Sequence, residues 1–468
     1  MISDPKNLRQ ISIPGLDTAA GWNEFAKRIN SIWNSRAIAP LQLTKGGEWL
    51  LSGGDGIEPN PTGPFNAPIY RVFVDRGDGW DWGSTASPRA FYLAGTFTSY
   101  GSATALRAAK FYKSPVTGST TFSSAFAAAN QFNGTTNFIQ TTRDGNIIYG
   151  ASIPRSRNGA GTNYAWILDP NSGDLVSGFN AVSSAAFLTT GLSSIACVDG
   201  YLAAMNPVQT NIYDLSTGSG SSASSDTNSH NVFGDDSSFY ATGRRVNMFG
   251  VTDPKAFHKI GAGFSQDATW ATNGGTGSGA DLFSMAVPQK QVWNTNDESK
   301  LIYAVATLEF TGVDYTWNGI TAGGGSGASS GNVIRYTNTG LLQNYLGSAF
   351  YFTRDTSYPD NSPRAELFCV DPDDVLFFGG GVAHLTSLVQ DIDVAPQMLY
   401  AFYPLTQEFD VIDGFNGPVR DCQFFGYSST GSPQYIVVGE FTEYNGNPAP
   451  YICFLDSGYN QIPELEWL

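Results

Sequence analysis

The stretch YIVVGEFTEYNGNPAPYICFLDSG, residues 435–458, decides the fold. It holds an apolar run ending in Gly, a sharp turn, and a second apolar run closed by Asp-Ser-Gly. Short runs of β-branched and aromatic residues separated by Asn-Gly specify strands joined by tight turns. The same pattern stands near the other end of the chain as FYLAGTFTSYGSATALRAAKFY, residues 91–112. Two copies so far apart raise the question of what lies between them.

Weaker copies do. A turn followed by a short apolar strand occurs eight times, at 46–54, 88–96, 144–151, 199–205, 236–243, 298–306, 373–381 and 433–440. A strand closing on a polar turn alternates with it, also eight times, at 69–77, 108–118, 164–173, 211–218, 247–254, 332–340, 398–406 and 451–458. A small residue followed by Phe often comes next, as at Phe126, Phe179, Phe264, Phe350 and Phe415. Internal repetition of one small β unit marks an array whose members bury their faces against each other. Radial stacking does this while leaving only short edges. A tandem of sandwich domains would show linkers and no single repeat unit. The expected fold is all-β: a single β-propeller of about eight blades, or seven if the short-spaced unit at 199–218 makes no blade. Its expected bounds are 46–458, after an arm at 1–45 and before a tail at 459–468.

The units GTFTSYGSATALRAAKF and VVGEFTEYNGNPAPYICFLDSG resemble the delta-60 repeat. Gly439, Phe441, Thr442, Tyr444, Asn445, Gly446, Leu455, Asp456 and Gly458 fall on its pattern. Gly95, Phe97, Thr98, Tyr100 and Gly101 match its first half, and the central units keep the strands but lose most of the FTxYNG turn. The resemblance implies a propeller of the kind found in tailed-phage virion and tail proteins and in large bacterial surface proteins. It speaks for a fold before a function.

Composition agrees with such a fold. Only 14% of the 468 residues are charged, while Gly numbers 53. The 41 acidic residues exceed the 25 basic ones, giving a net charge of −16. A chain this acidic lacks the cations needed to hold phosphate backbones, yet it can surround DNA that passes without specific binding. Cys197, Cys369, Cys422 and Cys453 are widely spaced, and buried free thiols are expected. The N-terminal sequence has no basic start and apolar core of a secretory signal, and no run is long enough to insert in a membrane.

Both ends carry candidate docking residues. Trp22, Phe25, Ile29, Ile32 and Trp33 recur at helical spacing, with Asp17 or Thr18 placed to cap the helix. Such a stripe packs on the chain's own ring or on a neighbouring subunit. At the other end, Leu465, Trp467 and Leu468 either hook a partner or fold back.

Catalytic patterns are missing from the sequence. His230, His258 and His384 stand in unrelated contexts, with no partner at zinc-ligand spacing. No nucleophile elbow, phosphate-binding loop or dinucleotide fingerprint occurs. SQDATW at 265–270 lacks the Gly of a sialidase Asp-box and occurs once. Two acidic clusters stand at Asp75, Asp78 and Asp81 and at Asp371, Asp373 and Asp374; the first is the candidate for Ca²⁺. Asp at turns more commonly bonds its own backbone. Trp80 and Trp82, and Tyr315 and Trp317, are candidate loop aromatics for a host glycan or another partner.

The expected function is therefore non-enzymatic and cofactor-free: a structural component of a tailed-phage virion, in the tail tube, nozzle or tip. Expected partners are other tail proteins and further copies of this chain. A glycan-binding adhesion propeller and a propeller glycosidase are the alternatives.

Overall fold

The computed structural model describes most of residues 64–243 and 365–467, individual strands between 257 and 354, and a strand pair between 41 and 51. The chain divides into two compact units, Met1–Pro59 and Asn60–Leu468. In the smaller unit, Leu41–Leu43 pairs antiparallel with Trp49–Leu51, Leu41 opposite Leu51. GGEWLLSGG, expected as the opening strand of the repeat array, thus belongs to a local hairpin. Two apolar runs separated by TKGGE meet at little closure cost. The boundary between the two units falls after residue 59.

In the larger unit the described residues form seven antiparallel sheets of three or more strands. The first is typical: Ile69–Asp75, Ala90–Gly95, Ala108–Lys113 and Thr120–Phe122 pair in chain order. IYRVFVD, expected as a closing strand, is therefore a first strand, with Ile69 opposite Gly95 and Asp75 opposite Ala90. The second and third sheets begin at Phe138–Thr141 and Ser194–Val198. The fourth and fifth begin at Ser229–Gly234 and Ala280–Ala286. The sixth and seventh begin at Ala365–Val370 and Val419–Tyr427. The unit at 199–218 makes a full sheet of its own, with Tyr201–Asn206 paired to Gln209–Asp214.

The second strands whose packing is described are apolar on both faces because each face meets a different neighbour. In Ala90–Gly95, Phe91 and Leu93 pack with Phe425, Ile436 and Val438 of the seventh sheet. Ala90, Tyr92 and Ala94 pack instead with Ile147, Tyr149 and Trp166 of the second. The period-2 alternation of a strand divides the two sets. Pro433–Gly439 repeats the arrangement, with Tyr435 and Val437 turned to Phe377, Leu399 and Ala401 of the sixth sheet. Burying each such large apolar side chain contributes about 1.5–3 kcal/mol.

The first strands neighbour each other in order. Ile69–Asp75 lies beside Phe138–Thr141, which lies beside Ser194–Val198, and so on through the first strands of the fourth to seventh sheets. Val419–Tyr427, the last of them, lies beside Ile69–Asp75 again.

The FTxYNG turn is a small hairpin between the second and third strands. It pairs Ser99–Tyr100 with Ala103–Thr104 in the first sheet and Glu443–Tyr444 with Asn447–Pro448 in the seventh. Asn445 and Gly446 both take positive φ, 49° and 75°, as a two-residue hairpin turn requires. Gly95 and Gly439 serve close approach: the carbonyls of Pro68 and Pro418 stand where a Cβ would be.

Candidate functional site

Two features of the larger unit position side chains that sequence reading singled out: a clasp repeated in the first and seventh sheets, and the seam where those sheets meet. The clasp is a Phe-Asn pair ahead of the first strand. Asn66 Oδ1 accepts from the backbone N–H of Thr98 at 2.8 Å and of Ser99 at 3.1 Å, and its Nδ2 donates to the Thr98 hydroxyl at 2.7 Å. Asn416 treats Thr442 and Glu443 in the same way, at 2.8, 3.0 and 3.0 Å. Phe65 and Phe415 are buried beside their hairpins, packed on Phe97 and Phe441 with ring centroids 4.7 and 4.5 Å apart. Phe415 was legible as an aromatic plug. The Phe-Asn-x-Pro signal shared by residues 65–68 and 415–418 was not read, although both copies stand in the sequence.

At the seam, Arg71 Nη1 donates to the carbonyl of Arg420 at 2.8 Å, and Asp421 Oδ2 accepts from the N–H of Val72 at 3.0 Å. Arg76 donates to the carbonyls of Phe425 and Phe424 at 2.8 and 2.7 Å, with its guanidinium 5.2 Å from the Phe424 ring centre. Burial lowers the Arg76 pKa to about 10, and the forked bonds to two carbonyls offset part of that desolvation.

The C-terminal segment completes the seam. Gln461–Ile462 is the fourth strand of the seventh sheet, so the sheet extends into the segment 459–468, which was expected either to hook a partner or to fold back. Trp467 is 7% exposed and packs on Phe425 and Phe91, with ring centres 4.9 and 6.2 Å apart. Its Nε1 donates to the Thr120 hydroxyl at 2.9 Å, and its carbonyl accepts from Lys113 Nζ at 2.6 Å. Glu464 accepts from the Thr120 N–H at 2.7 Å. Trp467, named as a docking residue, is thus folded back onto its own sheets, because two aromatic faces and a hydroxyl are already in reach. Beside it opens a cleft of about 540 Å³ lined by Tyr100, Phe111, Pro448, Pro450, Phe454 and Glu464.

The acidic candidates are engaged where they are described. Asp75 is buried and pairs through Oδ2 with Arg89 Nε at 3.0 Å. Asp371 is buried, and its Oδ1 accepts from the N–H groups of Asp373 and Val375 at 2.8 and 2.9 Å. Its Oδ2 accepts from the Tyr435 hydroxyl at 2.7 Å. Burial raises the Asp371 pKa above the ordinary carboxylate value despite those bonds, and burial likewise pushes the Tyr435 hydroxyl far up. Asp456 in the closing turn accepts from Gly458 and Asn460 at 2.9 and 2.8 Å, the local backbone role expected of Asp in turns. Among the described residues, no three His, Cys, Asp or Glu side chains stand together to hold a metal ion.

Tyr315–Trp317 forms a two-stranded hairpin with Ile320–Ala322, so these candidates stand on a strand. Asp78, Asp81, Trp80, Trp82, Trp22, Phe25, Ile29, Ile32, Trp33 and Leu468 lie outside the described residues. No described helix is long and apolar enough to cross a membrane.

No protein-family model matches the chain, and no curated protein sequence does. Among solved structures, the Pan2 WD40 domain of Neurospora crassa is similar at 10% identity and TM-score 0.34, over 80% of this chain and 89% of that one. Regucalcin from Agrobacterium tumefaciens, a calcium-binding protein, is similar at 10% identity and TM-score 0.28, over 57% and 71%. An oligogalacturonate lyase from Vibrio parahaemolyticus gives 9% and 0.26, over 56% and 73%. Likenesses this remote carry no function to this chain, and the architecture rests on its own strand pairing.

Proposed function

We propose that the larger unit is a β-propeller of seven blades acting as a non-enzymatic component of a tailed-phage virion, placed in the tail. The observation that carries the fold is the neighbour order of the first strands, which runs through all seven sheets and returns to Ile69–Asp75. This reading takes seven blades, not eight, because the strand at 49–51 pairs within the smaller unit. The virion reading draws on the delta-60-like hairpins of the first and seventh sheets, which share one clasp around Asn66 and Asn416. In this reading several copies assemble around a lumen, and their net charge of −16 each lets DNA pass without adhesion.

Native mass measurement with negative-stain imaging tests it. A closed assembly of several copies around an open lumen is the expected result. A monomer at every concentration would sink the tube or nozzle assignment. The second reading, attachment to a host glycan, draws on the aromatic cleft beside Tyr100 and Glu464. A glycan array probed with the whole chain separates the two.

A further inference from the structure

Arg107 and Arg155 approach each other across the loop of residues 132–136, which leads from the first sheet into the second. Arg107 sits just ahead of Ala108–Lys113 with a left-handed backbone, φ 68°. Its Nη1 donates to the Phe132 carbonyl at 2.8 Å, and its own carbonyl accepts from the Thr136 hydroxyl. The loop is therefore held to Arg107 at two points, once through the guanidinium and once through the backbone carbonyl.

Arg155 comes from the opposite side. The second sheet lacks the small FTxYNG hairpin and instead extends Ile147–Arg157 and Ala160–Leu168 into a long hairpin. Asn158 and Gly159, at φ 50° and 74°, make its turn. Asn133 ties this hairpin to the loop: its Oδ1 accepts from Ser156 N–H at 2.9 Å, and its own N–H donates to the Ser156 carbonyl at 3.1 Å. The Arg155 side chain then lies flat on Gly134, its Cδ, Nε and Cζ filling the space a side chain there would take.

The charge of the two cations is left uncompensated, with one carbonyl bond to Arg107 as the only polar contact described for either guanidinium. Among the described residues neither pairs with a carboxylate, and the buried Nε of Arg155 has no hydrogen-bond partner. Burial, and after it the charge of Arg155, holds the Arg107 guanidinium below its usual range. The neighbouring Arg157 shows the contrast. It donates to Asn130 Oδ1 at 2.8 Å and to the Gly173 carbonyl at 2.7 Å, with the charge of Asp174 favouring its own. In a chain where acidic residues outnumber basic ones 41 to 25, two mutually repelling, half-buried arginines at a clamped loop stand out.

We propose that Arg107 and Arg155 form an oxyanion site for the carboxylate, sulfate or phosphate group of an acidic saccharide. Paired guanidinium groups present planar forks of N–H donors that match such groups. The exposed amide of Asn133 suits sugar hydroxyls, and Ile153, 59% exposed on the same hairpin, suits the apolar face of a sugar ring. The site stands whether or not the chain is a virion component.

Isothermal titration of the full chain with glucuronate, glucose 6-sulfate and glucose 6-phosphate, with glucose as neutral control, tests it. The acidic sugars bind and glucose does not; which acid binds best identifies the source of the oxyanion. Arg155→Gln weakens that binding at least tenfold and leaves the thermal midpoint unchanged or raised, since it removes repulsion and no hydrogen bond. Arg155→Lys retains part of the binding. Equal binding of glucose, no binding of any acidic sugar, or unchanged binding in Arg155→Gln overturns the proposal. A lowered thermal midpoint with unchanged binding in that variant assigns Arg155 a packing role and overturns it as well.

Discussion

Replacing Trp467 by Ala tests whether the last residues hold the first and seventh sheets together. The indole is 7% exposed, faces Phe425 and Phe91, and donates to Thr120 at 2.9 Å. Truncating a buried Trp to Ala costs about 3–5 kcal/mol. Losing the hydrogen bond to Thr120 adds about 1 kcal/mol. An unfolding entropy of about 2.1 cal/mol/K per residue gives a unit the size of Asn60–Leu468 roughly 0.9 kcal/mol/K. The expected fall in the calorimetric midpoint is then roughly 5–7 °C. Trp467→Phe keeps an aromatic on Phe425 and loses the Nε1–H donor, so a fall of about 1–2 °C is expected. Hydrogen exchange should rise together in 69–75 and 419–427, the strands that meet at the seam. A Trp467→Ala midpoint within 1 °C (roughly 1 kcal/mol) of the parent would refute the reasoning, because the seam would then hold without its plug.

Other substitutions probe separate parts of the fold. Gly439→Ala drives a Cβ into the Pro418 carbonyl and should abolish soluble folded protein, whereas Gly446→Ala, at φ 75° with open space around it, should cost only about 1 kcal/mol in urea denaturation. The carboxyl of Asp371 has a raised pKa in the folded chain, so its contribution is fully present below the unfolded value and is lost as pH rises through the folded one. The urea midpoint of the parent minus that of Asp371→Asn should therefore grow as pH falls from 7 towards 4; a constant difference would show that Asp371 has no raised pKa. All four cysteines are buried, and burial raises the Cys453 thiol to about 12 and those of Cys197 and Cys422 upward as well. An aromatic disulfide reagent at pH 8 should label none of them in the native chain and all four in denaturant.

The sequence by itself determined the strands, the turns and the all-β class. Apolar runs such as AFYLAG and YIVVG, bounded by Gly, Pro and Asp, leave a chain with so little charge few other ways to bury its aromatics. Asn445-Gly446 and the Asp456 turn were legible because backbone sign and local hydrogen bonding depend on neighbours in sequence. The order of strands within a unit was not legible. IYRVFVD and the segment at 46–54 carry the same apolar signal as every other strand, and only pairing partners tell a first strand from a local hairpin.

Long-range pairing also decided the rest. Trp467 reads equally as a hook or a plug until Phe425 and Phe91 are seen to flank it. Asn66 and Asn416 look like ordinary turn residues until their amides are found on hairpins that follow the next two strands. Arg107 and Arg155 are separated by three strands and the short helix Ser124–Ala129, and nothing local to either marks them as a pair. Side-chain contacts made through folding depend on where the sheets stack, and that is a property of the whole unit.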